Sequence, residues 1–404
     1  MFYGVTVTFW FKVRIRFFRR CFHQNSVPLT YNAKVGDEYN QIRPYDGFPQ
    51  ILGLCMIDPD IQSRSPHGLL MLLALPGVGR HTAEKLAVQF DTIGAIHCAV
   101  ESDLRSIVPS RALKTVLSNN SWEKADEDAR QVLDSSRSHS VRIISRFDPE
   151  FPCLLTRIPD PPLLLHIKGR LRQEKLVAAV GTRSPSTFGI KVAQRITKFI
   201  AERNWGIVSG LAIGIDTECH RAALNANGYT VAVLANGLDS VYPASNKKLA
   251  DEILASGGAL VAEQPIGAKA FAQNLIQRDR VQSGLSVATF VMQTDIVGGS
   301  MHTVRFTLLQ HRQLFVPIPT KLYRDEPKSQ GIIALAEQSG SKLASILSAE
   351  DSYLFLLRTT FAGSPPAYGI RGAEDYEHVL ELLGRPVPPN IAPINEASQK
   401  ELFT

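Results

Sequence analysis

The sequence predicts an α/β protein built on a doubly wound parallel sheet, with a small helical domain ahead of it. The first observation is a regular alternation between residues 176 and 317, where short apolar runs alternate with amphipathic stretches. The second is that glycine and hydroxyl residues collect where the apolar runs end. The third is a helical period over residues 67–118. A chain of 404 residues is long enough for two or three domains.

Six apolar runs are the expected strands, and the five stretches between them are the expected crossover helices. The strands are predicted at 176–181, 206–210, 229–235, 259–263, 286–292 and 313–317. The helices are predicted near 189–203, 214–226, 246–256, 271–282 and 300–311. Because ligands of doubly wound sheets bind outside the carboxyl ends of the strands, the binding site is expected in the loops that follow them.

Composition suggests the boundaries of the remaining parts. Residues 1–50 are a basic and aromatic leader and linker that starts with a period-two pattern typical of one amphipathic strand; a nucleic-acid arm and a disordered or non-native leader both fit it. The predicted domains are a helical domain at 51–138, the sheet domain at 139–322 and a tail at 323–404. The sheet domain opens with a strand, a proline-rich passage and a second strand, and the tail keeps short helices near 331–357 and 374–384.

Charge and cysteine usage narrow the class of protein. The formal net charge is +6, and residues 170–320 contain 16 Lys and Arg against 10 Asp and Glu, so the basic excess lies with the glycine-rich loops and permits a polyanionic partner. The five cysteines are far apart and odd in number, which fits neither a disulfide framework nor a zinc site with paired ligands. No apolar run approaches the ~20 residues of a membrane-spanning helix, so we expect a cytoplasmic protein without a membrane partner.

The first predicted turn, GTRSPSTFG, joins a buried strand to a helix. Unpaired backbone N–H groups and the positive end of a helix dipole make such a turn suitable for a phosphate. The turn lacks G-x-G-x-x-G and the chain lacks G-x-x-x-x-G-K-[ST], so neither NAD nor any other cofactor is expected. The anion-binding candidates in this turn are Gly181, Arg183, Ser184, Ser186 and Gly189.

The later turns repeat this character. SGLAIGID, ANGLDSVYPASNKKL, AEQPIG and TDIVGGSMHT each follow an expected strand and bring small or hydroxyl residues. Together they describe a wide, basic, amide-lined surface, larger than one mononucleotide requires. The further candidates on this surface are Ser209, Gly210, Gly214, Lys247, Lys248, Arg278, Arg280, Gly298 and Ser300.

These turns resemble the motifs of the DNA-processing protein A (DprA, also called Smf) family. GTRSPSTFG is similar to G-x-R-x-x-S-x-x-G, and SGLAIGID with His220 is similar to S-G-x-A-x-G-I-D-x-x-x-H. NGLDSVYPASNKKL is similar to G-x-D-x-x-Y-P-x-x-N-x-x-L, and RDRVQSGLS falls at R-N-R-I-I-A-G-L-S. The resemblance covers residues from about 140 to 320, close to half of the chain.

The resemblance implies an extended Rossmann-like domain that binds and protects single-stranded DNA and helps to load the RecA recombinase during transformation and recombination. It also implies a homodimer and no catalytic activity, so no catalytic residue is assigned. The implied phosphate contacts are Arg183, Ser184 and Ser186, then Lys247 or Lys248, then Arg278 and Arg280. The glycines that would let the strand approach are Gly210, Gly214 and Gly298.

Several of these residues also allow a structural interpretation. Arg183 could pair with Glu263 or Asp239 instead of a phosphate. Arg278 and Arg280 point to different faces of their helix, so only one of them is expected to reach a ligand.

Other polar residues in the motifs are expected to organise turns. Asp216 and His220 are one helical turn apart, and a helix-start hydrogen bond is favoured over a metal site. Asp239, ahead of Tyr242 and Pro243, is expected to organise a turn, and Asn246 to cap the next helix.

The sequence departs from the family at three places. Asp279 stands where Asn is expected between two arginines, which puts a carboxylate beside the proposed phosphate path. GGSMHT replaces a more usual S-G-S-L-x-T, and a C-terminal winged helix is not evident after residue 345. These differences leave the expected fold unchanged and bear on the strength of binding.

Outside the sheet domain, LPGVGRHTA resembles the helix-hairpin-helix motif. In that motif the Gly-Val-Gly amides face a DNA phosphate and Arg80 would add charge; a plain αα-hairpin is the alternative.

Two other functions are compatible with the fold. A nucleotide hydrolase similar to the LOG proteins would need P-G-G-x-G-T-x-x-E, and VGGSMHTVRF lacks its glutamate. A sensor that binds a free nucleotide without reacting is the other alternative.

Overall fold

The computed structural model describes residues 58–173 and 175–388. The predicted strand of the leader lies outside the described residues. From residue 58 onward, the helical domain contains six helices: α1 Pro66–Ala74, α2 Arg80–Gln89, α3 Ile93–His97, α4 Glu101–Leu104, α5 Ser110–Val116 and α6 Asn119–Ser138. α1 begins at Pro66 because Ser65 accepts a hydrogen bond from the Gly68 amide and proline suits the first helical position.

The helical domain has its own apolar core. Leu69, Leu72, Leu86 and Ile96 are buried in it, and the indole of Trp122 is also fully buried, donating to the carbonyl of Val116 at 2.7 Å. Leu164 of the neighbouring sheet domain belongs to the same core, so the two parts of the chain share apolar contacts.

The described residues form one nine-stranded sheet, to which the sheet domain contributes eight strands and the tail one. Its strands are β1 Arg142–Ser145, β2 Leu164–Gly169, β3 Leu176–Val180, β4 Gly206–Ser209, β5 Thr230–Leu234, β6 Ala259–Ala262, β7 Ala288–Val291, β8 Gln313–Pro317 and β9 Tyr368–Ile370. Their order is β1-β2-β6-β5-β4-β3-β7-β8-β9. β2 is antiparallel to both of its neighbours, β1 and β6. The seven strands β3 to β9 are all parallel to one another. The expected doubly wound sheet is therefore confirmed.

Helices cover both faces of this sheet, and strands β3 to β7 are buried along their whole length. After the short helix α7 Cys153–Thr156, the crossover helices are α8 Thr187–Ala201, α9 Ile215–Asn225, α10 Lys247–Ala255, α11 Ala272–Gly284 and α12 Ser300–Leu309. β3 lies between β4 and β7, so the strand order reverses at β3 and leaves a crevice between the loops after β3 and β7.

The part of the chain after β8 packs against the sheet. It forms α13 Gln330–Glu337, α14 Gly340–Ile346, α15 Asp351–Thr359, β9 and α16 Tyr376–Leu383. The helices fall where the sequence predicts them. β9 was not predicted because three residues are too few for a strand period to appear, yet it pairs in parallel with β8.

Across the described ranges, the longest helices are too short or too polar to cross a lipid bilayer.

Candidate nucleic-acid interface

Most of the candidate residues lie at one edge of the sheet, because the carboxyl ends of parallel strands meet there. The turn after β3 is held by the loop after β7. The amide of Thr182 donates to the carbonyl of Gln293 at 2.8 Å, and the amide of Ser186 donates to the Gln293 side chain at 2.9 Å. Gly189 is required here because a Cβ would lie 2.2 Å from the Gln293 side-chain oxygen.

The loop after β4 packs directly on the same turn. Gly214 has φ +83°, and a Cβ there would lie 2.6 Å from the carbonyl oxygen of Thr182 and from the backbone of Arg183. Only glycine combines this backbone with such a close approach. The three loops after β3, β4 and β7 therefore form one fixed surface.

Asp216 holds the shape of the loop after β4. Its carboxylate accepts hydrogen bonds from the amides of Gly210 at 3.0 Å and Ala212 at 3.3 Å. Burial raises the pKa of Asp216, and the charge of Arg278 opposes that shift.

His220 lies one turn further along α9. Its Nδ1 is 2.7 Å from the hydroxyl of Thr230, and burial together with the charge of Arg278 lowers its pKa to about 3. Among the described residues, no group of three His, Cys, Asp or Glu side chains has the arrangement of a metal site.

Arg183 projects from the turn after β3 into solvent. Within the described residues it takes part in no ion pair, and neither acid that could have paired with it is available. Glu263 binds Arg280 at 2.6 Å, and Asp239 accepts a hydrogen bond from the Gly267 amide at 2.8 Å. With respect to the described residues, the guanidinium group of Arg183 is therefore available to contact a ligand.

The loop after β5 is tied to the loop after β4. The side chain of the buried Asn246 donates to the carbonyl of Leu211 and to the hydroxyl of Thr217, both at 2.8 Å, so it joins two loops and no side-chain cap bond forms at α10. Lys247 and Lys248 follow it and are exposed at the start of α10. Lys248 lies 3.8 Å from Glu252, whereas no ion pair of Lys247 is found in the described chain.

The structure places Arg278 inside the protein. It donates to the carbonyls of Gly210 at 2.7 Å and Val233 at 2.5 Å, and it pairs with Asp279 at 3.1 Å. A Cβ at Gly210 would lie 2.2 Å from its guanidinium group, so this glycine makes room for an arginine of the protein.

Arg280 is buried as well, with 2% of its side chain exposed. Its guanidinium group binds both oxygens of Glu263, at 2.6 and 2.7 Å, and lies 3.3 Å from Asp160. The expectation that one of the two arginines reaches a ligand therefore has no support in this geometry: both point into the protein and support the loops from below.

Asp279 does not face the outer surface of the loops. It contacts Arg278, and burial raises its pKa to about 6, a shift that Arg278 opposes and the nearby Asp216 reinforces. The carboxylate that replaces the expected asparagine is thus part of a buried cluster.

Three other candidates are engaged within the protein. The hydroxyl of Ser209 is buried and donates to the carbonyl of Ala179 at 2.7 Å. The hydroxyl of Ser186 donates to a carboxylate oxygen of Glu326 at 2.7 Å. A Cβ at Gly298 would lie 2.5 Å from the hydroxyl of Thr294.

Two further candidates have more open positions. Ser184 is exposed beside Arg183, although its carbonyl accepts a hydrogen bond from Lys328, and Ser300 is the half-exposed first residue of α12. Gly181 lies under the turn, where a Cβ would meet Ile215 at 2.7 Å.

Sequence reasoning assigned no binding role to the exposed apolar side chains on these loops. Each of four loops carries one: Ile213 is 47% exposed, Tyr242 50%, Phe271 63% and Val297 92%. Their signal in the sequence is a large apolar residue inside a glycine-rich or polar loop, where no strand or helix would bury it.

The helical hairpin does not direct its arginine outward. Arg80 pairs with Asp160 and lies 3.5 Å from Glu263, the carboxylate that also binds Arg280. Arg80 is thus used to join the helical domain to the sheet domain.

The comparison with known proteins agrees with this architecture. A family model described as DNA recombination-mediator protein A matches residues 142–354. The DNA processing protein DprA of Bacillus subtilis is 34% identical over 258 residues, which are 63% of this chain and 84% of that protein. Protein Smf of Synechocystis is 35% identical over 191 residues, and the match spans about half of that relative, 48% of its length.

Among solved structures, DNA processing protein A from Streptococcus pneumoniae superposes with a TM-score of 0.51 and 26% identity, over 67% of this chain and 97% of that one. The family model covers more than half of the 404 residues, and the Bacillus relative is covered over most of its length. The chain therefore belongs to the DNA recombination-mediator protein A family.

Proposed function

We propose that this protein binds single-stranded DNA along the carboxyl edge of its sheet, chiefly through the phosphates. The observation that carries the proposal is the position of Arg183. It is exposed and lacks an ion-pair partner in the described structure, and it stands on a turn that Gly214 and Gln293 hold in place. Because the backbone of the turn is already held in place, only the side chain of Arg183 has to be ordered when its guanidinium group binds a phosphate.

Further cations lie along the same edge. Lys247 after β5 and Lys269 after β6 are exposed, and neither forms an ion pair within the described ranges. With Arg183 after β3, they place one free positive charge on each of three loops. A row of charges suits a polyanion that runs along the edge better than it suits a single phosphate.

The exposed apolar side chains favour a single strand over a duplex. Tyr242, Phe271 and Ile213 lie on the same loops as these cations or on a neighbouring one. Bases of a single strand expose their faces to such side chains, whereas a duplex hides them in the stack. Alternating cationic and apolar groups therefore match the chemistry of an unpaired strand.

The test is fluorescence anisotropy with a labelled single-stranded oligonucleotide, measured over a range of salt concentrations. Arg183→Ala is expected to weaken binding by roughly 1 kcal/mol, about fivefold, for every base composition, and to reduce the slope of log K against log salt by about 1. Both effects follow from the loss of one phosphate contact.

Arg172→Ala is the matched control. Arg172 is exposed at the opposite end of β3, where its guanidinium group lies over the Tyr229 ring at 4.5 Å. The Arg172→Ala substitution therefore removes the same charge from the other edge of the sheet. Equal losses for the two variants would show that only net charge matters and would refute the assigned edge.

Length dependence separates the strand binder from the nucleotide sensor. Affinity that rises with oligonucleotide length supports the proposal, and tight binding of AMP alone contradicts it. We also propose that the protein is not an enzyme, because the loop after β7 lacks the glutamate of the LOG-like hydrolases. Release of the free base from a nucleoside monophosphate would contradict the proposal that the protein is not an enzyme.

The family further supports a role in protecting single strands and loading the RecA recombinase during transformation and recombination, as a homodimer. Nuclease digestion of a bound oligonucleotide tests protection, and strand exchange by RecA with and without the protein tests loading. Sedimentation analysis of the full chain tests the dimer. A monomer that leaves strand exchange unchanged would confine the function to binding.

A further inference from the structure

The segment between β8 and α13, residues 318–329, contacts both the turn after β3 and the loop after β7 and is called the strap here. Tyr323 of the strap stacks on Phe188 of α8, with ring centroids 5.5 Å apart. Lys328 donates to the carbonyl of Ser184. The strap thus contacts the same turn that carries Arg183.

Between these contacts the strap inserts a carboxylate. Glu326 accepts hydrogen bonds from the hydroxyl of Ser186 at 2.7 Å, from the side-chain amide of Gln293 at 3.1 Å and from the hydroxyl of Ser329 at 3.5 Å. Ser186 is also the N-cap of α8, so the carboxylate lies beside the positive end of that helix. Convergent donors at a helix N-terminus are the environment that an anion requires.

Among the described residues, the donors that hold the Glu326 carboxylate are all neutral. No ion pair of Glu326 is found in the parts of the chain described, although the exposed arginine of the same turn, Arg183, is only three residues before Ser186. Displacing a carboxylate that has no cationic partner from its hydrogen-bond donors costs less free energy than displacing one that belongs to a buried ion pair. A phosphate bound to Ser186 and Gln293 would use the same donors, so phosphate and Glu326 exclude each other.

We infer that Glu326 is an autoinhibitory carboxylate: it occupies a phosphate seat between the loops after β3 and β7 and limits how deeply a polyanion can engage this turn. The inference rests on the proposed function for its polyanion. Displacement of the strap exposes Ser186 and Gln293 and adds a second phosphate contact next to that of Arg183.

The test compares Glu326→Ala with Asp325→Ala in the full chain. Asp325 is the adjacent, exposed carboxylate and has no ion pair in the described residues, so the control removes the same charge outside the seat. At low salt, Glu326→Ala is expected to bind a single-stranded oligonucleotide about fivefold more tightly than the parent, since a like charge close to a phosphate is lost. Asp325→Ala is expected to change the affinity less than about twofold.

A second measurement uses inorganic phosphate alone. Phosphate, added against chloride at equal ionic strength, is expected to raise the Tm of Glu326→Ala more than that of the parent or Asp325→Ala, because only in the first chain are the donors Ser186 and Gln293 open to it. Equal responses of all three chains would overturn the inference. Selective stabilisation without oligonucleotide binding by any chain would support the seat and refute the proposed function.

Loss of the carboxylate leaves Ser186 without an acceptor, so a second pair of variants protects the test against misfolding. Glu326→Gln keeps an acceptor oxygen and removes the charge, and Asp325→Asn is its control. Tighter oligonucleotide binding by Glu326→Gln than by Asp325→Asn supports the inference, and equal binding contradicts it.

Discussion

The turn after β3 and helix α11 carry the same residue type in opposite environments. Arg183 on the turn is exposed and unpaired in the described structure, whereas Arg278 and Arg280 on α11 are buried and held by backbone carbonyls and carboxylates. All three arginines lie in segments that resemble motifs of the family. The difference teaches that a motif arginine can either contact the ligand or hold the loops that contact it, and that burial of the guanidinium group decides between the two.

The largest loss of stability is expected when one of the buried arginines, Arg280, is removed. Arg280→Ala leaves Arg80 as the remaining cation beside Glu263 and Asp160. The expected loss of unfolding free energy is about 3 kcal/mol, the lower end of the range for a broken buried pair. Urea unfolding measures this loss. Oligonucleotide affinity of the folded variant is expected to stay within about twofold of the parent, since Arg280 does not face the strand.

The control for this prediction is Arg105→Ala. Arg105 forms an exposed pair with Glu101 at 2.8 Å, and its removal is expected to cost about 0.5 kcal/mol or less. A stable Arg280→Ala variant that no longer binds the oligonucleotide would place Arg280 in the contact surface.

The next effect is expected at the support of the exposed arginine. Gly214→Ala combines φ +83° with a Cβ 2.6 Å from the backbone of the Arg183 turn, so about 1–3 kcal/mol of stability is expected to be lost. The turn must also shift, which is expected to weaken oligonucleotide binding about fivefold, on the order of 1 kcal/mol. Unfolding and anisotropy measurements check the two parts.

Gly257→Ala is the matched control for Gly214→Ala. Gly257 has φ +81°, but a Cβ there meets nothing within 4 Å, and it lies between α10 and β6 at the other edge of the sheet. It is expected to lose stability from the backbone alone and to bind normally. Weaker oligonucleotide binding by Gly257→Ala would show that the affinity loss of Gly214→Ala does not depend on its contact with the Arg183 turn.

A smaller effect is expected in the buried cluster of Arg278, Asp279 and Asp216. The pKa of Asp279 is about 6 in the folded protein, against the usual 3.8, so between about pH 4 and pH 6 the folded chain holds a proton that the unfolded chain has lost. This group therefore makes the free energy of unfolding fall as pH rises through that window. Asp279→Asn removes the penalty.

The measurement is unfolding by urea from pH 4 to pH 8 for both chains. Relative to the parent, Asp279→Asn is expected to gain on the order of 1–2 kcal/mol between pH 4 and pH 7. The buried His166 and His220, whose pKa values are lowered to about 4 and about 3, titrate in both chains and cancel in the difference. A difference in unfolding free energy between the two chains that does not change with pH would contradict a raised pKa of Asp279.

The smallest effect is expected on the exposed side, at α10. Lys247→Ala is expected to weaken oligonucleotide binding about two- to threefold, because an exposed lysine contributes one flexible phosphate contact. Lys248→Ala, which removes a lysine 3.8 Å from Glu252, is the control and is expected to weaken binding less. Titrations at low and high salt measure both, and an equal loss at both salt concentrations would contradict a phosphate contact.

Local pattern was sufficient for much of the fold. The strands from β3 to β8 and their crossover helices repeat an apolar period that is visible residue by residue, and the glycine-rich turns between them mark the carboxyl edge. β9 escaped this reasoning because three residues contain too little pattern and its pairing with β8 is a long-range contact.

The sequence by itself determined the doubly wound sheet, the helical domain ahead of it and the edge at which glycine, hydroxyl and basic residues gather, since each depends on periodicity and on residues near one another in the chain. Only the tertiary structure decided which charges remain free. Glu263 pairs with Arg280, Glu326 accepts a hydrogen bond from Ser186, and Arg183 remains exposed to solvent. Each outcome depends on which distant segment packs over that side chain.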